Sequence, residues 1–402
     1  MISKNINNIS LILFSIIPIS LVIGPTISLI NILLIDVLFL VLIYINKDYA
    51  YFKSKPVKYL FILYLYLIFN SLVSIDKEVG LMRNLGFVRV IILFIAFNYF
   101  FEKDFFKNTV LKIWSLSISI IVIDIFVESL TGQNLLGYSH DYGNRVVSFF
   151  KNKAIVGGFV NAFFLISIGF LLSNFKDKKK FLILILSLIF FISILITGER
   201  ANAIKAFLGL FIFFFSLSNY DFRKKIVISS SLVILFLILI FNSEYLKMRY
   251  IIQINKHISE DQTYLKLYKS GLEVFKNHKV FGVGNKNYRI ESCAKDNSQL
   301  INKKNYICNT HPHQIYFEML SEHGLFGTFL IFFILYKLVF SKIKYVYNEK
   351  NYIQIGSMIY LLLTFLPILP SGAFFSDYML TLFMINLSIF YSSSKRLNIL
   401  NV

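Results

Sequence analysis

The chain has 402 residues, 56% of them hydrophobic, including 44 phenylalanines, and a mean hydropathy of +0.67. A water-soluble core needs no such excess, so a soluble globular protein is excluded. The formal net charge of +19 would suit a nucleic-acid binder. In so apolar a chain, though, basic residues are first tested against the rule that Lys and Arg stay on the cytoplasmic side of a membrane.

In chain order, twelve apolar windows follow one another, with cores near residues 9 to 23, 26 to 45, 59 to 74, 85 to 101, 113 to 127, 154 to 173, 181 to 196, 202 to 218, 226 to 242, 315 to 340, 352 to 369 and 374 to 391. Each approaches the ~20 residues that a helix needs to cross a bilayer. The expected fold class is an all-α polytopic membrane protein of about 12 transmembrane helices. Residues 1 to 24 contain Lys4 and an apolar stretch without a small-residue cleavage site, which predicts a retained anchor.

With the N-terminus placed in the cytoplasm, the inside segments carry Lys4, Lys47, Lys53, Lys55, Lys58, Lys103, Lys107, Lys112, Lys176, Lys178, Lys179, Lys180, Arg223, Lys224, Lys225, Lys342, Lys344, Lys350, Lys395 and Arg396. The short outside loops carry Lys77, Arg83 and Arg200. The basic excess is therefore topological: both termini are expected inside, the partner is the lipid bilayer, and no nucleic acid is implied.

The whole chain, 1–402, reads as a single membrane domain. Residues 1–242 supply nine spans, 243–313 a large outer loop with an amphipathic helix, and 314–402 three more spans. The two long outer segments, 128 to 153 and 243 to 313, are where function is expected, because loops on a rigid scaffold carry it. The second holds both cysteines, Cys293 and Cys308. In an oxidising compartment they could form a disulfide worth ~3 kcal/mol; the alternative is two unpaired thiols.

Three polar clusters lie on the outer side. "LITGERANAIK", 195 to 205, makes a hairpin so short that Arg200 sits at the membrane surface, where its rigid fork suits phosphate or carboxylate. Glu199 beside it could orient the guanidinium. The competing reading of Arg200 is a snorkelling cation at a helix end.

In the second cluster, 264 to 293, Leu265, Tyr268, Leu272 and Phe275 predict an amphipathic helix lying on the membrane or the bundle, with Lys266, Lys269, Lys276 and Lys279 facing water or headgroups. In "FGVGNKNYR", Gly282 and Gly284 could let a turn approach a diphosphate closely, and Arg289 is a second candidate phosphate ligand.

The third cluster is "HPHQIYFEMLSEHGLFG", 311 to 327. Pro312 stops a regular helix from passing through both histidines, so a helix is predicted to start near His313 or Gln314. At the helical increment, Gly324 lies about 20° and Gly327 about 40° from His313, which forms a close-packing stripe with an imidazole at its outer end. Glu318 and Glu322 fall roughly 140° and 180° away. Both are expected to pack or to face an acceptor cavity, and a Glu322 so far along the helix calls for a partner. Two histidines one residue apart could share a metal ion, yet no cysteine-histidine cluster or HExxH accompanies them. A neutral imidazole that takes a proton from a sugar hydroxyl fits the residues better, with no cofactor and no metal.

"TGERAN" after an apolar helix, "FKNHKVFGVGNKNYR" before a Cys, and "THPHQIYFEMLSEHGLFG" after one resemble the O-antigen ligase and O-antigen polymerase superfamily of bacterial inner-membrane proteins. The most specific element is His, then Asn, Ser or Gln, nine residues, Gly, two residues, Gly, which His313, Gln314, Gly324 and Gly327 match in full. The resemblance covers about residues 180 to 330; upstream it rests on span count and topology. It implies a GT-C-like arrangement of twelve spans with a large periplasmic loop between the ninth and tenth.

It also implies transfer of a glycan from undecaprenyl diphosphate to a saccharide acceptor, lipid A core in ligases or a growing chain in polymerases, at the periplasmic face of the inner membrane. Carried over by motif, His313 is the general base, Arg200 a ligand of the diphosphate, and His311 an assistant. Diphosphate is a good leaving group, so cationic donors can stabilise it without a metal, and a single displacement would invert the anomeric centre.

One departure is that many ligases carry a second essential Arg at the start of the amphipathic helix, where this chain has Tyr264; Arg289 or Arg249 are the substitutes at hand. The ligase reading is preferred, polymerase is the runner-up, and a polysaccharide transporter or flippase is the other class. A transporter should show a repeat and midplane charges. No repeat is visible, and Asp124 and Asp377 are the exceptions that could line an acceptor cavity. A scaffold without chemistry would leave the His, Gln and glycine spacing unexplained.

Overall fold

The computed structural model of the chain describes residues 2–139, 145–151, 153–175, 180–217, 221–256, 259, 262–294 and 306–400. Helices follow in the order α1 (Ile2–Ser15), α2 (Ile17–Ile23), α3 (Pro25–Asn46), α4 (Lys55–Leu72), α5 (Lys77–Leu85), α6 (Phe87–Phe100), α7 (Asp104–Thr131), α8 (Val156–Asn174), α9 (Lys180–Ile196), α10 (Arg200–Ser216) and α11 (Phe222–Asn242). After these come the shorter α12 (Glu244–Lys247), α13 (Gln253–Lys256), α14 (Thr263–Asn277) and α15 (Tyr288–Cys293), then α16 (Ile315–Leu338), α17 (Ile343–Glu349), α18 (Tyr352–Thr364) and α19 (Asp377–Ser392). Among the described residues no strand forms beyond an isolated bridge between Gln133 and Ser139.

Every apolar window carries helix, with α1 and α2 sharing the first across a 51° bend. Among the described residues six stretches are long and apolar enough to cross a membrane, or seven if the bent pair is one span. The other windows hold shorter pieces, such as α9 and α10 with 17 residues, α18 with 13 and α19 with 16. Pieces this short rise roughly 20–26 Å at 1.5 Å per residue, less than the hydrocarbon thickness. On the outside of the bundle, α11 leaves Val227, Ile234, Ile238 and Phe241 at least half exposed, an apolar surface that belongs against lipid. The architecture fits a multi-pass membrane protein.

Helix α8 is the centre of the bundle and packs against α7, α9, α10, α18 and α19. Its crossing with α18 is so close that a Cβ added to Gly169 would lie 2.4 Å from the Tyr352 carbonyl, and one on Gly356 2.4 Å from the Leu165 carbonyl. Small residues permit such approaches, on which helix packing in lipid depends.

Helix α16 is broken at Gly324, whose φ of 62° and ψ of −167° fall where essentially only glycine is found. The segment 279–285 lies across the break and takes up the backbone groups that it frees. Val283 N–H donates to Ser321 O (2.9 Å) and Gly284 N–H to Glu322 O (2.9 Å), while Leu325 and Phe326 N–H donate to the carbonyls of Lys279 (2.8 Å) and Val280 (3.1 Å). Tyr66 OH donates to His323 O (3.3 Å), and the Asn70 amide joins Phe281 O (3.0 Å) to Glu322 O (3.3 Å).

The expected approach of Gly282 and Gly284 to a diphosphate is corrected here. A Cβ on Gly282 would sit 2.4 Å from the Glu322 backbone, and one on Gly284 2.1 Å from the Ser74 side chain, so these glycines dock the loop onto α16 and the end of α4. The expected stripe from His313 through Gly324 to Gly327 is interrupted by the same break, and Gly327 instead makes room for the Tyr66 phenol.

A Gly324→Ala variant should lose about 1–3 kcal/mol through its backbone conformation alone, and more because its Cβ would meet Val280 O at 2.3 Å. Gly372→Ala, which meets only Met379 at 3.4 Å, serves as control. Thermal unfolding in detergent reads both; equal midpoints would contradict the role given to the break.

Candidate functional site

Between α8, α10 and α18 on one side and α13, α14 and the α18–α19 connector on the other lies a cavity of about 860 Å³. It brings together His311, His313, Glu199, Arg200 and Tyr264, all singled out in the sequence, with Arg145, Lys205 and Arg249.

The TGER turn builds one wall. Gly198 has a φ of +72°, and a Cβ there would lie 2.3 Å from Tyr245 Oη and 3.1 Å from Arg249 Nε, so glycine is required for both reasons. Glu199 does not orient Arg200. Its carboxylate accepts the N–H groups of Gly157 (2.6 Å) and Gly158 (3.0 Å) at the start of α8 and the Asn202 amide (2.7 Å). This is the favourable end of the α8 dipole for a negative charge, and it is already satisfied by backbone donors. Burial raises the Glu199 carboxyl to about 7 against the lowering by those donors and Arg145. Arg200, next in sequence, opens α10 and lines the cavity.

Arg249 sits in a single π-turn, Met248–Ile252, the kind of helical irregularity that recurs at functional sites. It is 5% exposed, donates through Nη2 to Gly198 O (2.8 Å) and through Nη1 to Gln253, and keeps its Nε without a partner. Burial first, and Arg145 next, disfavour its charge, as expected where cations gather without counter-ions. Glu199 is the single carboxylate among the described lining residues, and its oxygens are already engaged.

The two histidines are unlike. Both flank Pro312, with ring centroids 4.0 Å apart. His311 Nε2 lies 3.2 Å from Ser371 O, a pure acceptor, so that nitrogen carries the proton and Nδ1 accepts from the Thr310 hydroxyl at 2.9 Å. Its ring is thus fully engaged. The His313 ring makes no hydrogen bond among the described residues and lines the cavity. Its backbone has a φ of +57°, uncommon for a side-chain-bearing residue, and is held by Ser371 N–H donating to His313 O (2.9 Å). Gln314 follows as N-cap of α16, its amide oxygen accepting from Tyr316 (2.8 Å) and Phe317 (3.1 Å), so the helix begins one residue past the expected start. Burial lowers the basicity of both rings: His311 falls to about 4, with His313 as second cause, and His313 moves in the same direction. Both are neutral at pH 7.

Helix α14 forms where the amphipathic helix was expected, but its buried face is Leu267, Ser270, Gly271 and Val274 rather than the predicted set. Leu265 is 47% exposed. The small face wins because Gly271 lies under Pro312 and Phe317, at 2.8 and 3.0 Å from an added Cβ; the helix thereby clamps the histidine segment. The Tyr264 ring stands 6.3 Å from that of His313. Cys293 and Cys308 form a disulfide that ties α15 to the strand of chain leading to the histidines.

Arg289 is exposed and does not line the cavity; of the two substitutes for the missing family arginine, Arg249 is the one placed there. Glu322 is also outside it, buried beside the break with Tyr288 N–H at 3.4 Å from Oε1 and no partner for Oε2. Glu318 accepts the Phe374 N–H (3.0 Å). Asp377 pairs with Arg83 and Arg89 and Asp124 with the loop before α8; neither reaches the cavity. Sequence reasoning missed Lys205, 7% exposed on α10, and the Ile368–Gly372 wall, whose signal was the "ILPSG" punctuation between the last two windows. Among the described residues no group of three or more His, Cys, Asp or Glu converges.

A histidine-labelled NMR titration should give a midpoint near 4 for His311 and one below the usual 6.5 for His313. A His313 midpoint above 6.5 would refute the desolvated-ring assignment.

Residues 182–332 match the family model described as O-Antigen ligase. No curated protein matches the chain. The match spans α9 to the middle of α16 and so includes the TGER turn, Arg249 and both histidines; Arg145 and the α18–α19 wall lie outside it.

Proposed function

The chain belongs to the O-antigen ligase superfamily through residues 182–332, and from that premise we propose that it transfers a glycan from undecaprenyl diphosphate to a saccharide acceptor, lipid A core in the preferred reading, at the periplasmic face of the bacterial inner membrane. One observation carries this reading: a histidine ring that is neutral and free of hydrogen bonds among the described residues shares a cavity with Arg200 and Arg249, where the single described carboxylate, Glu199, is taken up by Gly157, Gly158 and Asn202.

In this reading the acceptor hydroxyl attacks the anomeric carbon of the donor sugar. His313 takes the hydroxyl proton, the bond from that carbon to the diphosphate oxygen breaks, and the diphosphate leaves with the electron pair. Arg200 and Arg249 stabilise the charge that grows on the leaving oxygen, the step at which prealigned donors lower a barrier most. A single displacement inverts the anomeric carbon. Burial serves the base in a simple way, because a ring that resists protonation is in its accepting form throughout the neutral range. His311, with both nitrogens engaged, holds the segment and is no second base.

His313→Ala should reduce transfer by about 10²–10⁴-fold, and Arg200→Ala or Arg249→Ala by about 10²–10³-fold, each with normal membrane insertion. The wild-type rate should fall on acidification only below pH 6.5, as His313 becomes protonated. Full activity of His313→Ala would sink the base assignment. Deletion in a lipopolysaccharide-producing host, followed by gel analysis, checks the acceptor: unmodified core with polymer retained on the lipid carrier supports the ligase, whereas core bearing a single repeat unit would make the enzyme a polymerase.

A further inference from the structure

The segment between α7 and α8 contributes Arg145 to the cavity, and its attachment to the bundle is unusual. Asp124 and Glu128, one helical turn apart on α7, are both 0% exposed. Two carboxylates so buried are costly unless matched by donors, and among the described residues Leu135, Val147 and Ser148, all in the segment that carries Arg145, supply such donors. Glu128 accepts Val147 N–H (3.0 Å) through one oxygen and Ser148 N–H (2.5 Å) through the other. Asp124 accepts Leu135 N–H (2.8 Å) through one and the Ser148 hydroxyl through the other.

Ser148 has a φ of +50°, a conformation that a side-chain-bearing residue keeps only when its surroundings over-determine it. Here its N–H and hydroxyl are held by the two acids, and its carbonyl by the Asn134 amide (2.9 Å). Arg145 begins two residues before this clamp, and its charge is felt at both Glu199 and Arg249 across the cavity.

We propose that Arg145 is a third ligand of the anion held by Arg200 and Arg249, and that Asp124 and Glu128 are positioning residues that hold it there through the backbone of Val147 and Ser148. This rests on the diphosphate reading given above. What the two buried acids add is a fixed exit direction for one side chain, and a planar guanidinium binds an anion well only from a defined direction.

The test measures binding of inorganic pyrophosphate to the full-length protein in detergent by calorimetry, with donor KM and kcat in parallel. Arg145→Ala should weaken pyrophosphate binding at least tenfold and raise KM more than it lowers kcat. Glu128→Gln should weaken binding several-fold alone, yet add nothing to Arg145→Ala in the double variant, since it acts through that residue. Should Glu128→Gln not fold, Ser148→Ala, which removes only the hydroxyl on Asp124, takes its place in the same cycle. Wild-type affinity in Arg145→Ala, with binding lost in Arg200→Ala, would overturn this inference alone. Additive losses in the double variant would reduce the carboxylates to structural groups. Absence of pyrophosphate binding by the wild type would overturn the diphosphate reading and this inference with it.

Discussion

The hydrogen-bond accounting around Gly324 is the constraint on which the placement of the histidine segment depends. A helix broken inside an apolar bundle leaves carbonyl and amide groups that cannot be left dry. Here Ser321, Glu322, His323, Leu325 and Phe326 present those groups, and the chain from Lys279 to Gly284, with Asn70 and Tyr66 from α4, accepts or supplies each hydrogen bond. The segment 279–284 is thus stitched into α16. Because it continues from α14, and α14 lies against Pro312 through Gly271, the segment bearing the histidines is held in one place above α8, α10 and α18.

The electrostatics of the cavity follow from what its wall residues already bond. Glu199, the carboxylate placed to neutralise the arginines, spends its oxygens on the amides of Gly157 and Gly158 and on Asn202. Arg249 spends only part of its donor set on Gly198 O and Gln253. The result is a cationic pocket beside a neutral imidazole, the combination needed to hold a leaving anion while deprotonating a hydroxyl. Within the pair of histidines the division of labour follows from their partners: Ser371 O ties up Nε2 of His311, while the ring of His313, which lines the cavity, makes no hydrogen bond among the described residues.

Much of this was legible in the residues. The apolar windows each carry helix, the TGER turn and the histidine segment singled out in the sequence both line the cavity, and Gln314 stands at the start of α16. What was not legible has a common cause. Gly282, Gly284, Gly324 and Gly327 were expected to be structural, but a turn near a ligand and one smooth stripe were the forms considered, whereas they make room for other parts of the same chain. Glu199 was read beside its sequence neighbour Arg200, and its backbone partners lie 41 and 42 positions away. Arg289 follows the glycine loop in sequence but is exposed and does not line the cavity, while Arg249, the other substitute at hand, and Lys205 do.

By itself, then, the sequence determined the solvent of the chain and the residue types of the site, because hydropathy, charge placement and motif spacing are properties of short stretches. Only the tertiary structure decided which cations face the histidine, which of the two imidazoles is open and what the glycines admit. Those outcomes depend on pairings such as Ser371 with His311, Glu199 with α8 and Val283 with Ser321, which close over separations that no local periodicity encodes.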